Sequence, residues 1–136
     1  MIIKGYKAKQ FKSIISKLCV DDILRDYTIV IYKYKFQSIL SNLFLKGLWG
    51  FNSRGVCNPT HKRIEIYTFT NKFKATKDLN SIQTLFHEIY HAIQYHKYNS
   101  CLERDRDNYR YDYNNCWTER TAESYANHNI RKFKST

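Results

Sequence analysis

Leu85-Phe86-His87-Glu88-Ile89-Tyr90-His91-Ala92-Ile93 is the stretch whose reading decides the rest of the chain. Around it, Leu79, Ile82, Phe86, Ile89 and Ile93 recur at spacings of 3, 4, 3 and 4. That is one apolar helix face, predicted from about residue 79 to 97, with Asp78 or Asn80 as its N-cap. Residues four apart on a helix lie one above the other. His87 and His91 fall off the apolar face and can aim two imidazoles at one metal ion. Glu88 sits one position round the helix, within reach of a water activated by that ion, as its general base.

Two imidazoles do not complete a catalytic metal site, which takes three protein ligands and one open position. Trp117-Thr118-Glu119-Arg120-Thr121-Ala122-Glu123-Ser124-Tyr125-Ala126 supplies candidates. Glu119 follows His91 by 28 residues, enough for one helix to end and a second to return. Glu119 and Glu123 are four apart and share a face of that second helix, predicted over about 116–133. One can bind metal while the other accepts a hydrogen bond from a ligand imidazole.

His87, Glu88 and His91, followed by Glu119, Ala122, Glu123, Tyr125 and Ala126, resemble the gluzincin pattern. In particular they are similar to the small ImmA/IrrE-type metallopeptidases of bacteria and phages, over roughly residues 62–130. The resemblance implies a zincin-like fold, with His87, His91 and Glu119 as zinc ligands, Glu88 as general base and Glu123 as orienting residue. It also implies that the strand preceding the metal helix forms the sheet edge lining the substrate cleft, to which a substrate backbone adds. The metzincin pattern does not fit, since its glycine and third histidine would fall on Gln94 and Lys97. A two-histidine, one-carboxylate set also suits iron or manganese.

The chain has 136 residues, enough for a single domain with its own core. Its 43 % apolar and 26 % charged residues are those of a globular protein. No run of 18 apolar residues predicts a membrane span, and no apolar leader follows Met1, so a cytoplasmic location is expected. Cys19, Cys57, Cys101 and Cys116 show no C-x-x-C pairing and read as free thiols. Lys, Asn, Tyr, Ile and Phe are all plentiful, as codon bias in an AT-rich genome would make them; the 12 tyrosines need no functional explanation. Residues 1–77 carry 15 Lys and Arg against 4 Asp and Glu, whereas residues 78–136 carry 8 of each. A basic half and a balanced metal half follow, and the basic half suits nucleic acid or an acidic protein surface.

Along the chain, Phe11, Ile14, Ile15 and Leu18 predict an amphipathic helix over 7–19, and Tyr27–Tyr32 a strand. Phe36, Ile39, Leu40, Leu43 and Phe44 predict a helix stopped by Gly47. A short strand, a turn near Asn52 to Gly55 and a second short strand ended by Pro59 follow. Lys62–Phe69 alternates as a half-buried strand. Tyr98–Asn115 is polar and aperiodic and reads as a loop over the cleft. On the return helix Trp117, Ala122, Tyr125, Ala126, Ile130 and Phe133 are expected inward. The fold class expected is α+β: a small twisted sheet packed on the H-E-x-x-H helix and a C-terminal glutamate-bearing helix.

The function expected is that of a zinc-dependent endopeptidase acting on a specific cytoplasmic protein, a DNA-binding repressor being the substrate type that the resemblance suggests. Tyr109, Tyr111, Tyr113, Arg120 and His128 are the candidate donors to the transition-state oxyanion. His96 and His128 are rival third ligands, disfavoured because both point well away from the ligand faces; His61 reads as solvated. The alternative is a basic nucleic-acid- or protein-binding module with a structural metal site. A delivered toxin or effector protease is a third reading.

Overall fold

In a computed structural model of the chain, residues 1–18, 20–33, 54–68, 77–98 and 117–135 are described. Four strands, β1 (Ile2–Gly5), β2 (Thr28–Tyr32), β3 (Gly55–Asn58) and β4 (Arg63–Tyr67), form one sheet. Four helices accompany them: α1 (Ala8–Ser16), α2 (Asp21–Leu24), α3 (Lys77–Lys97) and α4 (Trp117–Ser135). The class is mixed α+β, and α3 and α4 pack against each other. The predicted helix over 36–44, the turn near Asn52 and the Tyr98–Asn115 loop lie outside the described residues, apart from Tyr98 at the end of α3 and Arg54 and Gly55 at the end of the turn.

The strand order is β1-β2-β4-β3. β1 and β2 run parallel, as do β2 and β4, whereas β3 pairs antiparallel with β4 through the Cys57–Ile64 and Gly55–Ile66 registers. The sheet therefore begins with a helical crossover through α1 and α2 and ends in a hairpin around Pro59 to Lys62. Alternation sorts the side chains. Ile29, Ile31, Ile64 and Ile66 join Phe11, Ile14 and Ile15 of α1 and Ile82, Leu85, Phe86, Ile89 and Ile93 of α3 in one apolar core. Ala126 and Ile130 of α4 close it.

Two sequence expectations for β4 are corrected. The resemblance implies the sheet edge for it, but β2 and β3 flank it, and β3 is the outer strand among the described residues. The hairpin folds β3 onto the side that faces away from β2. Nor is β4 half-buried: Ile64 through Tyr67 are all buried. Its second face carries a polar cluster rather than solvent. Glu65, 1 % exposed, lies 2.8 Å from Arg63 Nε and accepts the Tyr67 hydroxyl. Arg63 also donates to the Tyr32 hydroxyl at 3.2 Å, and the Tyr32 and Tyr67 rings stack. A buried carboxylate is tolerated when such donors meet it.

Further differences are local. α3 begins at Lys77, so Asp78 and Asn80 lie in its first turn rather than capping it. Trp117 is 43 % exposed, not inward. The buried stripe of α4 runs through Thr118, Ala122, Ala126 and Ile130, and Trp117 is offset from Thr118 by about 100° round the helix. Tyr125 and Phe133 pack on the core only in part.

At the end of β1, Gly5 has φ 102°, and a Cβ there would lie 2.1 Å from the Ile31 carbonyl oxygen. Both facts exclude a side chain. Gly5→Ala is expected to cost about 2 kcal/mol or more of stability, read as a lowered urea midpoint.

Candidate metal centre

α3 and α4 build the site as antiparallel neighbours. Ala122 and Ala126, both fully buried, let the two helices approach closely, and Tyr90 stacks on Tyr125 at 4.7 Å beside them. The polar positions of α3 then meet those of α4 in order. Gln83 Nε2 donates to Asn127 Oδ1 at 2.7 Å and to Glu123 Oε1 at 3.3 Å. His87 follows, with Nε2 3.0 Å from Glu119 Oε2 and Nδ1 3.3 Å from Glu123 Oε2. His91 Nε2 lies 3.1 Å from Glu119 Oε1 and 3.1 Å from His87 Nε2.

His87, His91 and Glu119 thus converge, each with a ligand atom turned to a common point. The Glu119 carboxylate straddles the two rings. Two ligands of a tetrahedral zinc with bonds of ~2.0 Å lie about 3.3 Å apart, close to the 3.1 Å between these two nitrogens. The donor set, two imidazoles and one carboxylate, leaves a divalent ion one net positive charge. The site is sheltered: Glu88 and Glu119 are each 7 % exposed and His91 9 %. Low exposure strengthens every charge interaction inside it.

Glu88 faces the edge strand. A Cβ built on Gly55, the first residue of β3, would lie 3.0 Å from Glu88 Cγ and 2.7 Å from Thr84 Cγ2. The β3 backbone therefore presses directly onto α3 beside Glu88, and only glycine permits that approach. Glu123, the orienting residue that the resemblance implies, lies 3.3 Å from His87 Nδ1. Arg120 and His128 are exposed on α4 and, with Glu123 and Asn127, line a surface groove of about 450 Å³. Tyr109, Tyr111 and Tyr113 lie outside the described residues. His96 is exposed and meets the Tyr27 hydroxyl at 2.7 Å, and His61 is exposed at the β3–β4 turn. Cys57 is partly buried on β3; Cys19, Cys101 and Cys116 lie outside the described residues.

One functional residue escaped the sequence reading. Gln94, 1 % exposed, places Oε1 2.9 Å from His91 Nδ1. Its Nε2 donates to the Thr118 carbonyl at 2.9 Å and the Thr121 hydroxyl at 2.7 Å. The only signal in the sequence is a polar residue three positions after His91, on the side of the helix that carries the two histidines.

The chain matches no protein-family model, and no curated protein or solved structure matches it. Among the described residues, no helix is long and apolar enough to cross a membrane.

The electrostatics of the metal-free site follow from its carboxylates. Burial alone would lower the His91 pKa. The hydrogen bond to Glu119, the charges of Glu88 and Glu119, and the Gln94 bond outweigh burial and push it up to about 9. His87 is raised above 6.5 as well: burial again opposes, and the Glu119 hydrogen bond with the Glu88 and Glu119 charges prevails. Raised pKa values mean that protonation favours the folded chain. That contribution is complete below the ordinary 6.5 and vanishes as pH rises through about 9. For His91 it is on the order of 3 kcal/mol. In chelator, the melting temperature of the chain is expected to fall between these pH values, and His91→Gln to flatten the fall.

Proposed function

We propose that this chain is a zinc-dependent peptidase built on a minimal zincin-like domain. The observation that carries the reading is the convergence of His87, His91 and Glu119 on one point, with Glu88 buried one position round the same helix. A structural zinc site uses four protein ligands. Among the described residues only these three are grouped, which suits a site with a position left for chemistry.

Bound there, zinc supplies a Lewis acid that acidifies water to a pKa of about 7 and polarises a peptide carbonyl. The protein residues do the remainder. Glu88 accepts the proton of the attacking water and returns it to the leaving amine. Glu88 is 7 % exposed and its Cγ lies close against β3 at Gly55. Glu123 Oε2, 3.3 Å from His87 Nδ1, is placed to take up the proton there and leave the Nε2 lone pair for the metal. Gln83, donating to Glu123, holds that carboxylate in position.

The substrate is a polypeptide, and the edge strand supports this. β3 passes the general base, and among the described residues no strand pairs with its outer side. A substrate backbone adding there would be carried past Glu88 in extended form. The basic first half of the chain would favour an acidic or nucleic-acid-bound protein substrate.

Glu88→Gln is expected to keep one zinc per chain and to lose peptide hydrolysis by 10²-fold or more. Glu119→Ala is expected to lose the zinc. Metal content by mass spectrometry, with hydrolysis of an unstructured protein, checks both. Full activity in Glu88→Gln would contradict the zincin mechanism, and a zinc-loaded wild type without hydrolysis would leave a binding module with a structural metal as the better account.

A further inference from the structure

Gln94 belongs to no part of the H-E-x-x-H pattern, yet it touches both metal-bearing helices. Three contacts fix its amide. The Thr118 carbonyl can only accept, so the amide NH2 must face it at 2.9 Å. The opposite orientation would set two carbonyl oxygens against each other in a site that is 1 % exposed. With Nε2 on Thr118, Oε1 is committed to His91 at 2.9 Å. An amide oxygen can only accept, so His91 Nδ1 must carry a proton and donate it. The neutral His91 ring then has its lone pair on Nε2, the atom that meets His87 and Glu119. Thr121 completes the chain: its hydroxyl donates to the Trp117 carbonyl at 2.8 Å and is free to accept from Gln94.

The same side chain also places the third ligand. Thr118 immediately precedes Glu119, and Thr121 is two residues beyond it. Gln94 therefore fastens the first turn of α4, on both sides of Glu119, to the turn of α3 that follows His91.

We propose that Gln94 is a positioning residue of the metal site: it sets the tautomer of His91 and registers Glu119 against the two histidines. This rests on the metal-binding reading above, and adds to it a residue that neither the motif nor the resemblance assigns. Partners of ligand imidazoles typically contribute 10–100-fold to metal affinity. Gln94→Glu keeps an acceptor for Nδ1–H but loses the donor to Thr118; Gln94→Leu removes both the acceptor and the donor.

The test uses the full chain and zinc ion, titrated against a chromophoric chelator of known affinity. Gln94→Leu is expected to bind zinc 10–100-fold more weakly than the wild type, and Gln94→Glu, which restores only the acceptor for His91, to recover part of the loss. If wild type and Gln94→Leu bind zinc within twofold of each other, the role of Gln94 is overturned while the metal site stands. If the wild type takes up no zinc, the metal reading fails and this inference with it. Should Gln94→Leu not fold, the wild type alone decides. Long-range 1H–15N correlation on the zinc-loaded chain is expected to show His91 protonated at Nδ1 and bonded through Nε2. Coordination through Nδ1 would overturn the proposal.

Discussion

The contact between α3 and α4 is the constraint on which the site depends. Its apolar side is small, with Ala122 and Ala126 permitting a close approach, and its polar side is a ladder. Gln83, His87, His91 and Gln94 of α3 meet Asn127, Glu123, Glu119 and the Thr118–Thr121 turn of α4 in antiparallel order. Buried polar groups are costly unless each finds its partner. This interface satisfies them only in one register, because a slip by one helical turn would leave Gln94 without the Thr118 carbonyl and Glu119 without both imidazoles. The grouping of His87, His91 and Glu119 and the helix register are thus the same requirement seen from two sides.

The sheet contributes position rather than ligands. Its isoleucine face seats α3, and the hairpin brings β3 against the turn that carries Glu88. Gly55 is where the two meet most closely. On the far face, Arg63, Glu65, Tyr32 and Tyr67 form a buried polar cluster with no described link to the metal site. It gives β4 a second buried face, and so accounts for a strand whose alternation looks half-exposed in sequence and is buried from Ile64 to Tyr67 in the fold.

Much of this was legible in the sequence, and the reasons divide cleanly. α1, α3 and α4 announce themselves by helical periodicity, and β2 and β4 by β-branched and aromatic content. Spacing pairs His87 with His91 and offers Glu119 or Glu123 from a second helix, and the choice of Glu119 as ligand is what the resemblance implies. What could not be read depends on contacts between distant segments. β1 has four residues, Ile2 of them 62 % exposed, and becomes a strand only by pairing with β2. The edge position of β3 is a property of strand order, which no local pattern encodes. Gln94 looks like an ordinary helix glutamine until α4 is docked beside it, and Trp117 looks like a core residue until the phase of α4 is known.

X-ray absorption at the zinc edge, on the full chain loaded with one equivalent of zinc, tests the central claim most directly. The account predicts nitrogen and oxygen neighbours only, at about 2.0–2.1 Å, with the outer-shell pattern of two imidazoles. A sulfur neighbour at about 2.3 Å would contradict it, placing the metal on cysteine and away from His87, His91 and Glu119.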